Sequence, residues 1–395
     1  MGTHDFIQFP PNVEPMAPRT WLLLGQIQAT IKALATMPML PEDAYELNGI
    51  YLAKGIHGTT AIEGNLLSED QVFQLLQGNA PLEDEDHLQI KQVDSMIAAY
   101  TAVALDAVPG ESPAYSVDLL NHYHGLVLDG LETDEARAGQ LRMHNVTVGR
   151  YLAPPPDDCE LLLAQYCDWL NSEEPVSKWF TSYELALKIM KAIVAHVYFA
   201  WIHPYADGNG RMARLIEHAL LLRAGIPASA AHVFSYCYSQ SRERYYMELQ
   251  DTHGDFIDGA YRKTMLGKFV MYALDQAMEE LESQLRWIRI RQTQALWRER
   301  TRMHFPVQLT VPQQRRLQLA IDLTDRCVGK PIDFREIWDL LDIIPAGEFE
   351  YSLNMLDRDL SALVKMSILT QGYDGFQPNL DIMRSLFGNR GMYPD

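Results

Sequence analysis

The segment from His203 to Arg214 lies between two strong helical patterns, and this arrangement restricts the fold more than any other part of the chain. After it, a helical pattern runs from about Arg211 to Arg223 and stops at Gly225-Ile226-Pro227, a combination that ends helices. Before it, apolar residues recur at the spacing of one helix face: Leu185, Ile189, Ile193 and Val197. The sequence therefore predicts a loop between two helices, in a chain that is mainly α throughout.

This segment carries the groups needed to handle a nucleoside triphosphate. His203 can accept a proton near neutral pH, and the Asp207 carboxylate can hold Mg²⁺. Backbone N–H groups around Gly208 to Gly210 can cradle phosphate oxygens. Arg211 and Arg214 are three residues apart, so both are expected on one face of the following helix near its N-terminus, where the dipole favours anions.

Two other interpretations compete with this one. Gly208 to Ala213 also fit the dinucleotide-binding pattern G-x-G-x-x-A, but that turn must follow a β-strand, and the residues before it predict a helix. The second alternative is an ordinary helix-turn-helix in which His203 is a capping or core residue. Histidine alone is often structural, but chance does not readily add Asp207, Asn209 and both arginines.

The same residues resemble the signature of the Fic family, H-x-[FY]-x-[DE]-G-N-G-R-x-x-R, and every fixed position is met. The resemblance implies a Fic helical core that transfers AMP from ATP, with Mg²⁺, to a Ser, Thr or Tyr hydroxyl of a target protein and of itself. Tyr205 stands where the family usually has phenylalanine. It is therefore expected to be an apolar anchor beneath the loop, with its hydroxyl bonded at the rim.

Within this family, His203 is implied to be the general base that takes the proton from the attacking hydroxyl. Asp207 is implied to anchor Mg²⁺ on the α- and β-phosphates. Gly208, Asn209 and Gly210 are implied to present donors to the phosphates, and Asn209 is expected to contact the α-phosphate.

Four further residues complete the implied nucleotide site. Arg211 is expected to stabilise the β-phosphate and Arg214 the γ-phosphate. Tyr245 and Tyr246 resemble the family's paired-tyrosine segment near the adenosine pocket. Taken alone, two tyrosines on a helix are more often packing residues.

Far upstream, Thr59-Thr60-Ala61-Ile62-Glu63-Gly64-Asn65 resembles the inhibitory motif of the family, [ST]-x-x-x-E-[GN]. Taken alone, this pattern is typical of an ordinary helix end. A carboxylate delivered from Glu63 to Arg214 would form a bidentate ion pair and occupy the guanidinium that a γ-phosphate needs. Thr59 and Asn65 are expected to help fix the helix.

Residues Leu141 to Pro156 predict a short β-hairpin. Val146 and Val148 alternate with polar residues, and Pro154-Pro155-Pro156 ends the strand pattern. In Fic proteins a hairpin in this place, the flap, clamps an extended target segment by strand addition. The resemblance therefore implies that Thr147, Val148 and Gly149 position the target, whereas a structural surface hairpin is the alternative.

The breaks in the helical patterns predict four regions: an N-terminal helical region with the inhibitory helix over 1–110, the Fic core over 111–275, a connecting helix over 276–304 and a winged-helix-like domain over 305–395. In the last region, three helical patterns precede a strand-turn-strand signature at Leu369 to Phe376. Its nine basic and thirteen acidic residues make it a poor match to a DNA-binding surface. Protein contact or dimerisation is therefore preferred there.

The charge of the whole chain also argues against nucleic acid or an anionic membrane as a partner, since 33 basic and 52 acidic residues give a net charge of −19. The sequence contains neither a run of 18 uncharged apolar residues nor a secretory signal pattern, which predicts a cytoplasmic protein. Its four cysteines have no metal-site spacing and are expected to be reduced structural thiols. A homodimer is plausible for the family.

Two alternatives to AMP transfer stay open at this point. The first is removal of AMP, alone or together with transfer, because Thr59 to Asn65 is similar to the segment of relatives in which the inhibitory glutamate also positions a hydrolytic water. The second is a regulator without catalysis, in which the Fic core senses ATP and the winged-helix-like domain binds DNA.

Overall fold

Helices form most of the described part of the chain, which confirms the predicted mainly α fold. In the computed structural model, the described residues are 4, 6–9, 17–79, 87–108, 110–172, 184–252, 259–326, 331–343 and 351–379. The chain divides into two compact units, Met1–Gln284 and Leu285–Asp395.

The first unit contains helices α1 to α11 and one short hairpin. These elements are α1 Pro18–Thr36, α2 Pro41–Ile62, α3 Glu69–Leu76, α4 His87–Asp106, α5 Val117–Val127, β1 Thr147–Val148, β2 Tyr151–Leu152, α6 Pro156–Asn171, α7 Glu184–Ile202, α8 Asn209–Arg223, α9 Ala228–Ala231, α10 Val233–Gln240 and α11 Arg242–Asp251. Helix α12, Gly259–Arg302, begins in the first unit and ends in the second, and the predicted connecting segment 276–304 lies largely within it.

Helices α7 and α8 flank the loop predicted at His203, and they pack against each other. Most residues of α7 are buried, so this helix is apolar on nearly every side because it runs through the core. Its length and composition would also suit a membrane span, but 78% of its apolar window is buried inside the structure. Because a helix and not a strand precedes the glycines, the dinucleotide-binding interpretation is wrong.

The second unit contains the predicted order of three helices and a hairpin. Its elements after α12 are α13 Val311–Arg326, α14 Phe334–Ile343, α15 Leu353–Lys365, β3 Leu369–Gly372 and β4 Gly375–Pro378. The two strands are antiparallel, with Leu369 opposite Pro378, and Ile332 adds a bridge to Phe376. The apolar faces of the three helices and the hairpin share one buried core, which includes Trp297 from α12.

A buried carboxylate holds two of these helices together. Asp359 of α15 is 0% exposed and accepts hydrogen bonds from Arg315 Nε at 2.6 Å and from Arg316 Nε at 2.8 Å, both on α13. A buried charge must be paired, and two guanidinium donors satisfy this one.

Helix α2 continues past His57 to Ile62. The added residues include Gly58, Thr59 and Thr60, which are weak helix formers, so local propensity alone does not account for the extension. Packing against α10 does: a methyl group on Gly58 would lie 2.6 Å from the Ser235 carbonyl oxygen and 2.8 Å from Tyr236 Cα. Only glycine permits this approach of the two backbones.

Replacing Gly58 by alanine is therefore expected to lower the free energy of unfolding of the first unit by about 1–3 kcal/mol, the usual cost of overpacking a tight contact. Gly25→Ala is the matched control, because Gly25 lies in α1 with nothing within 4 Å of an added Cβ. Alanine there is expected to stabilise the helix by up to about 1 kcal/mol. Chemical denaturation of both variants measures the difference, and a Gly58→Ala protein as stable as the wild type would contradict the close contact.

Candidate active site

One pocket of about 420 Å³ brings together most of the residues predicted for the site. It lies where the end of α2, the hairpin β1–β2, the loop before α8 and helix α11 meet. The predicted residues that line it are Glu63, Val148, Gly149, His203, Asp207, Gly208, Asn209, Gly210, Arg214, Tyr245 and Tyr246. Four predicted residues lie outside its lining: Thr59, Asn65, Thr147 and Arg211.

His203 ends helix α7 in an unusual backbone conformation. Its φ is 46°, in the left-handed region, and its N–H donates to the Phe199 carbonyl at 2.9 Å, which closes the last turn. Pro204 follows and cannot continue the helix. This helix end turns the imidazole into the pocket.

The hydrogen bonding of His203 leaves a lone pair for chemistry. Nδ1 lies 3.3 Å from the Ala200 carbonyl oxygen, an acceptor, so this nitrogen carries the proton. Nε2 is then the free acceptor. Burial lowers the pKa of His203 to about 4, so the ring is neutral at pH 7.

Arg142, a residue to which the sequence assigned no role, braces His203 against the hairpin. Its side chain is 2% exposed and donates from Nε to the His203 carbonyl at 2.8 Å. The other nitrogens donate to the carbonyls of His144 at 2.8 Å and Pro154 at 2.5 Å, one on each side of the hairpin. One guanidinium therefore ties both ends of the hairpin to the backbone of the predicted base.

The loop after His203 is held rigid by its own side chains. Asn209 Nδ2 donates to the Tyr205 carbonyl at 2.7 Å, and its Oδ1 accepts from the Tyr205 N–H at 3.0 Å. Tyr205 is fully buried, as expected of an anchor, and its hydroxyl donates to Asn121 Oδ1 at 2.9 Å. Both ends of the Asn209 amide are thus used inside the loop, and its backbone N–H is the group left to face a phosphate.

His124 supports this loop from beneath, and the sequence did not single it out. Its ring stacks on Tyr205 with centroids 3.7 Å apart and planes 2° from parallel. Nδ1 accepts from the Gly139 N–H at 2.9 Å, so Nε2 carries the proton and donates to the Asp207 carbonyl at 3.0 Å. Burial lowers the pKa of His124 to about 4, which keeps it in this neutral form.

The start of α8 provides an anion-binding end. Gly208 has φ 79°, which glycine adopts without strain, and the helix begins at Asn209. The first N–H groups of a helix lack partners inside it and, with the helix dipole, attract phosphate oxygens. A methyl group on Gly210 would lie within 3.4 Å of both Arg214 Nη atoms and closer still to the Glu63 carboxylate, so this glycine also leaves room for the side chains above it.

Asp207 and Arg211 form a pair at the edge of the pocket. Asp207 Oδ2 accepts from Arg211 Nη2 at 3.3 Å, and its Oδ1 accepts from the Gly208 N–H at 2.6 Å. The Asp207 side chain is 60% exposed, whereas that of Arg211 is 6% exposed. Within the described residues, no group of three His, Cys, Asp or Glu side chains could hold a metal ion by itself. Mg²⁺ beside a nucleotide commonly uses one or two carboxylates plus phosphate oxygens and water, and Asp207 suits that role.

Arg214 is the most deeply buried charge of the pocket, at 1% exposed. Nη2 donates to Glu63 Oε1 at 2.6 Å, and Nη1 donates to the Tyr245 hydroxyl at 3.3 Å. Thr59 takes two further hydrogen bonds, from Nε to its Oγ1 at 2.8 Å and from Nη2 to its carbonyl at 3.1 Å. The contact with Glu63 thus uses one carboxylate oxygen instead of the predicted two, because Thr59 and Tyr245 occupy the other donors.

The end of α2, which carries Glu63, is fixed on two sides. Asn65 is 7% exposed and donates to the Gln89 carbonyl and to Gln92 Oε1 of α4, both at 2.9 Å. The Tyr246 hydroxyl donates to the Ile62 carbonyl at 3.1 Å. Asn65 therefore ties the helix end to α4, and Tyr246 contacts that end as well as the pocket.

Within the part of the chain that the structure describes, no further strand pairs with the outer edge of β1. Thr147 faces Leu152 and Val148 faces Tyr151. The Ala153 N–H donates to the Val146 carbonyl, so Thr147 and Leu152 form a non-hydrogen-bonded pair whose backbone groups point away from the hairpin. On the β2 side, His4 bonds to the Leu152 carbonyl at 2.8 Å. The β1 side is adjacent to Val148 and Gly149 in the pocket lining.

Sequence comparison identifies the same central region. Residues 114–221 match the model of the Fic/DOC family. The protein adenylyltransferase Fic of Nematostella vectensis is 30% identical over 201 residues, which cover 51% of this chain and 43% of that protein. The protein adenylyltransferase fic-1 of Caenorhabditis elegans is 29% identical over 194 residues, which cover 49% of this chain and 35% of that protein. The match therefore spans less than half the length of these relatives.

Solved structures share the fold over a larger part of the chain. The crystal structure of a Fic family protein from Desulfovibrio desulfuricans G20 covers 91% of this chain and 93% of its own, with a TM-score of 0.56 and 22% identity. The structure of Fic-1 from C. elegans aligns with 67% of this chain and with 71% of its own length, with a TM-score of 0.52 and 22% identity. The sequence comparison therefore places similarity to the Fic/DOC family in residues 114–221, and the solved structures share the fold over a larger part of the chain.

Proposed function

We propose that the protein is a protein adenylyltransferase that moves AMP from ATP to a Ser, Thr or Tyr hydroxyl of a target protein and of itself. The observation that carries this proposal is one pocket containing a neutral histidine, the start of helix α8 and the Arg214 guanidinium. A base, an oxyanion-binding helix end and a phosphate-binding cation are what the transfer needs. The named relatives support it, since both are called protein adenylyltransferases.

In this mechanism, His203 Nε2 accepts the proton of the target hydroxyl as its oxygen attacks the α-phosphorus. The bond between the α-phosphorus and the bridging oxygen of pyrophosphate breaks, and pyrophosphate leaves. N–H groups at the start of α8, including that of Asn209, donate to the α- and β-phosphates. Arg211 and Arg214 stabilise the charge on the β- and γ-phosphates.

Asp207 is the residue that would hold Mg²⁺, because its carboxylate is exposed at the pocket edge. Bound there, the ion would neutralise charge on the α- and β-phosphates. Tyr246, with a 42% exposed side chain in the pocket lining, offers an aromatic face to the adenosine. An extended segment of the target protein would add to the β1 edge beside Val148, which places its hydroxyl near His203.

We also propose that the contact between Glu63 and Arg214 is an inhibitory one. The Glu63 carboxylate occupies the guanidinium donor that a γ-phosphate would use. ATP bound in this state would have to place its phosphates differently, away from the line of attack on the α-phosphorus. Transfer then requires that Glu63 leave Arg214.

Removal of AMP is a second candidate activity, and one observation favours it. Arg214 uses only one oxygen of Glu63, whose side chain is 35% exposed beside His203. The other oxygen could orient a water for attack on a phosphate ester. Incubation of AMP-modified protein with Mg²⁺ would release free AMP if this activity is present.

The homodimer, the cytoplasmic location and the regulator hypothesis stay predictions from the sequence.

Glu63→Gly is expected to increase self-labelling from α-³²P-ATP with Mg²⁺ by at least about tenfold, because the γ-phosphate no longer competes with a carboxylate for Arg214. Denaturing gels measure the label, and Glu63→Gly/His203→Ala is expected to show none. Glu42→Gly, which removes an exposed charge from the first turn of the same helix, is the matched control. Equal labelling of Glu63→Gly and wild type would refute the inhibitory role.

The pH dependence of transfer by Glu63→Gly should report the lowered pKa of His203. An ordinary histidine titrates near 6.5, whereas burial lowers the pKa of His203 to about 4. The base must be neutral, so the rate is expected to stay constant from pH 8 to about pH 5 and to fall only below that. The negative charge of Glu63 raises the pKa of His203. Its loss in Glu63→Gly therefore lowers this pKa further, and the decrease in rate is expected at a lower pH. A rate that halves near pH 6.5 while ATP binding is unchanged would contradict the assignment.

Arg142→Ala should separate positioning from nucleotide binding. Its guanidinium reaches three carbonyls on the hairpin and at His203 but does not line the pocket. We expect a loss of transfer of at least about tenfold in the Glu63→Gly background, since hydrogen bonds to a charged group contribute about 1.5–3 kcal/mol each. ATP affinity should stay the same, and the rate of amide hydrogen exchange at residues 144–153 should rise.

The control for this prediction is Arg150→Ala, since Arg150 is an exposed arginine at the hairpin turn. Unchanged amide exchange and unchanged transfer in Arg142→Ala would overturn the positioning role of Arg142.

A further inference from the structure

A row of four buried polar side chains leads from the centre of the first unit to the pocket. Glu217 Oε2 lies 2.8 Å from His196 Nδ1, and His196 Nε2 lies 3.0 Å from the Tyr245 hydroxyl. The Tyr245 hydroxyl in turn accepts from Arg214 Nη1 at 3.3 Å. Their exposed fractions are 1% for Glu217, 0% for His196, 2% for Tyr245 and 1% for Arg214.

The chemistry of the donors fixes the direction of every hydrogen bond in this row. A guanidinium only donates, so the Tyr245 oxygen accepts from Arg214 and its own proton goes to His196 Nε2. His196 then carries its proton on Nδ1 and donates it to Glu217. The other Glu217 oxygen accepts from the Tyr238 hydroxyl at 2.9 Å. Burial raises the pKa of Tyr245, which keeps its hydroxyl protonated as this arrangement requires.

The row connects the phosphate end of the pocket to three helices. His196 is on α7, Glu217 and Arg214 are on α8, and Tyr245 is on α11. A buried carboxylate is costly unless it is fully hydrogen-bonded, and each Glu217 oxygen has a hydrogen-bond partner, His196 on one side and Tyr238 on the other. Its negative charge therefore polarises His196 and Tyr245 towards Arg214 without forming an ion pair with it.

The hydrogen bonds of Arg214 divide into two sets. Thr59 and Glu63, which accept three of them, both belong to the end of α2. Tyr245 accepts the fourth from the opposite direction. If the end of α2 withdraws, Tyr245 is the partner that remains among the described contacts.

We propose that Glu217, His196 and Tyr245 form a positioning relay that keeps the Arg214 guanidinium aimed at the γ-phosphate once Glu63 has left. This inference rests on the proposed function and adds to it. Tyr245 acts on the triphosphate through Arg214, and Tyr246 is the tyrosine of the pair that is exposed towards the nucleoside. The relay makes the site favour ATP over nucleotides with fewer phosphates.

The test uses Tyr245→Phe in the Glu63→Gly background, because this change removes one hydroxyl and keeps the ring. Calorimetry measures the affinities for ATP and for AMP, which lacks the phosphate that Arg214 contacts. We expect ATP affinity to fall about tenfold and AMP affinity to stay the same. Glu217→Gln should weaken ATP binding in the same direction by a smaller factor, because it removes the charge but keeps the shape.

Tyr166→Phe is the matched control. Tyr166 is also fully buried, and its hydroxyl donates to the carbonyl of Ala195 at 2.9 Å. Ala195 directly precedes His196 in the chain, but Tyr166 is not part of the relay. Tyr166→Phe should leave the ATP-to-AMP affinity ratio of the Glu63→Gly protein unchanged. Thermal unfolding of every variant checks that each one is folded. Equal losses for ATP and AMP in Tyr245→Phe, or no loss for either, would overturn the relay. Binding is measured without transfer, so a Glu63→Gly protein that binds ATP but labels nothing would refute the proposed function and leave this test intact.

Discussion

The arrangement of the pocket depends on the burial of one cation, the guanidinium of Arg214. It is 1% exposed, and an arginine cannot lose its proton to escape the cost of leaving water. Acceptors must therefore come to it, and they come from the end of α2 and from α11. The convergence of these elements on α8 leaves room for the pocket between them and gives its phosphate end a fixed charge.

The loop that carries the proposed catalytic groups is fixed in a similar way, but by hydrogen bonds to backbone. Asn209 closes the loop on Tyr205, His124 holds the Asp207 carbonyl from below, and Arg142 holds the His203 carbonyl from the hairpin side. These bonds form within the protein alone. The base and the helix end therefore do not need to reorganise when a nucleotide binds, which is the condition under which fixed dipoles stabilise a transition state best.

The sequence predicted much of this from local patterns, and its failures share a physical cause. Proline and glycine marked several helix ends, and a contiguous motif named the pocket residues between His203 and Arg214. The buried carboxylates of Glu217 and Asp359 and the support from His124 and Arg142 were not predicted. Each depends on partners far away in the chain: Arg142 contacts His203, and Arg214 contacts Thr59, 155 positions earlier. Asn209 shows the same limit, because its motif position does not reveal that Tyr205 already uses its side chain.

The burial of Glu63 and Arg214 also decides which of the two would have to move if their contact is inhibitory, as proposed. Arg214 cannot leave without stranding a charge in the core, whereas Glu63 is 35% exposed and can return its carboxylate to water. In the proposed mechanism, relief of inhibition would therefore displace the end of α2 and leave α8 in place. That end is held by Asn65 on α4, by the Tyr246 hydroxyl at Ile62 and by the close contact of Gly58 with α10. A signal that frees Glu63 has to break contacts of this kind. Because Tyr246 also lines the pocket, the proposed nucleoside binding and the proposed release of the helix end would act on the same side chain.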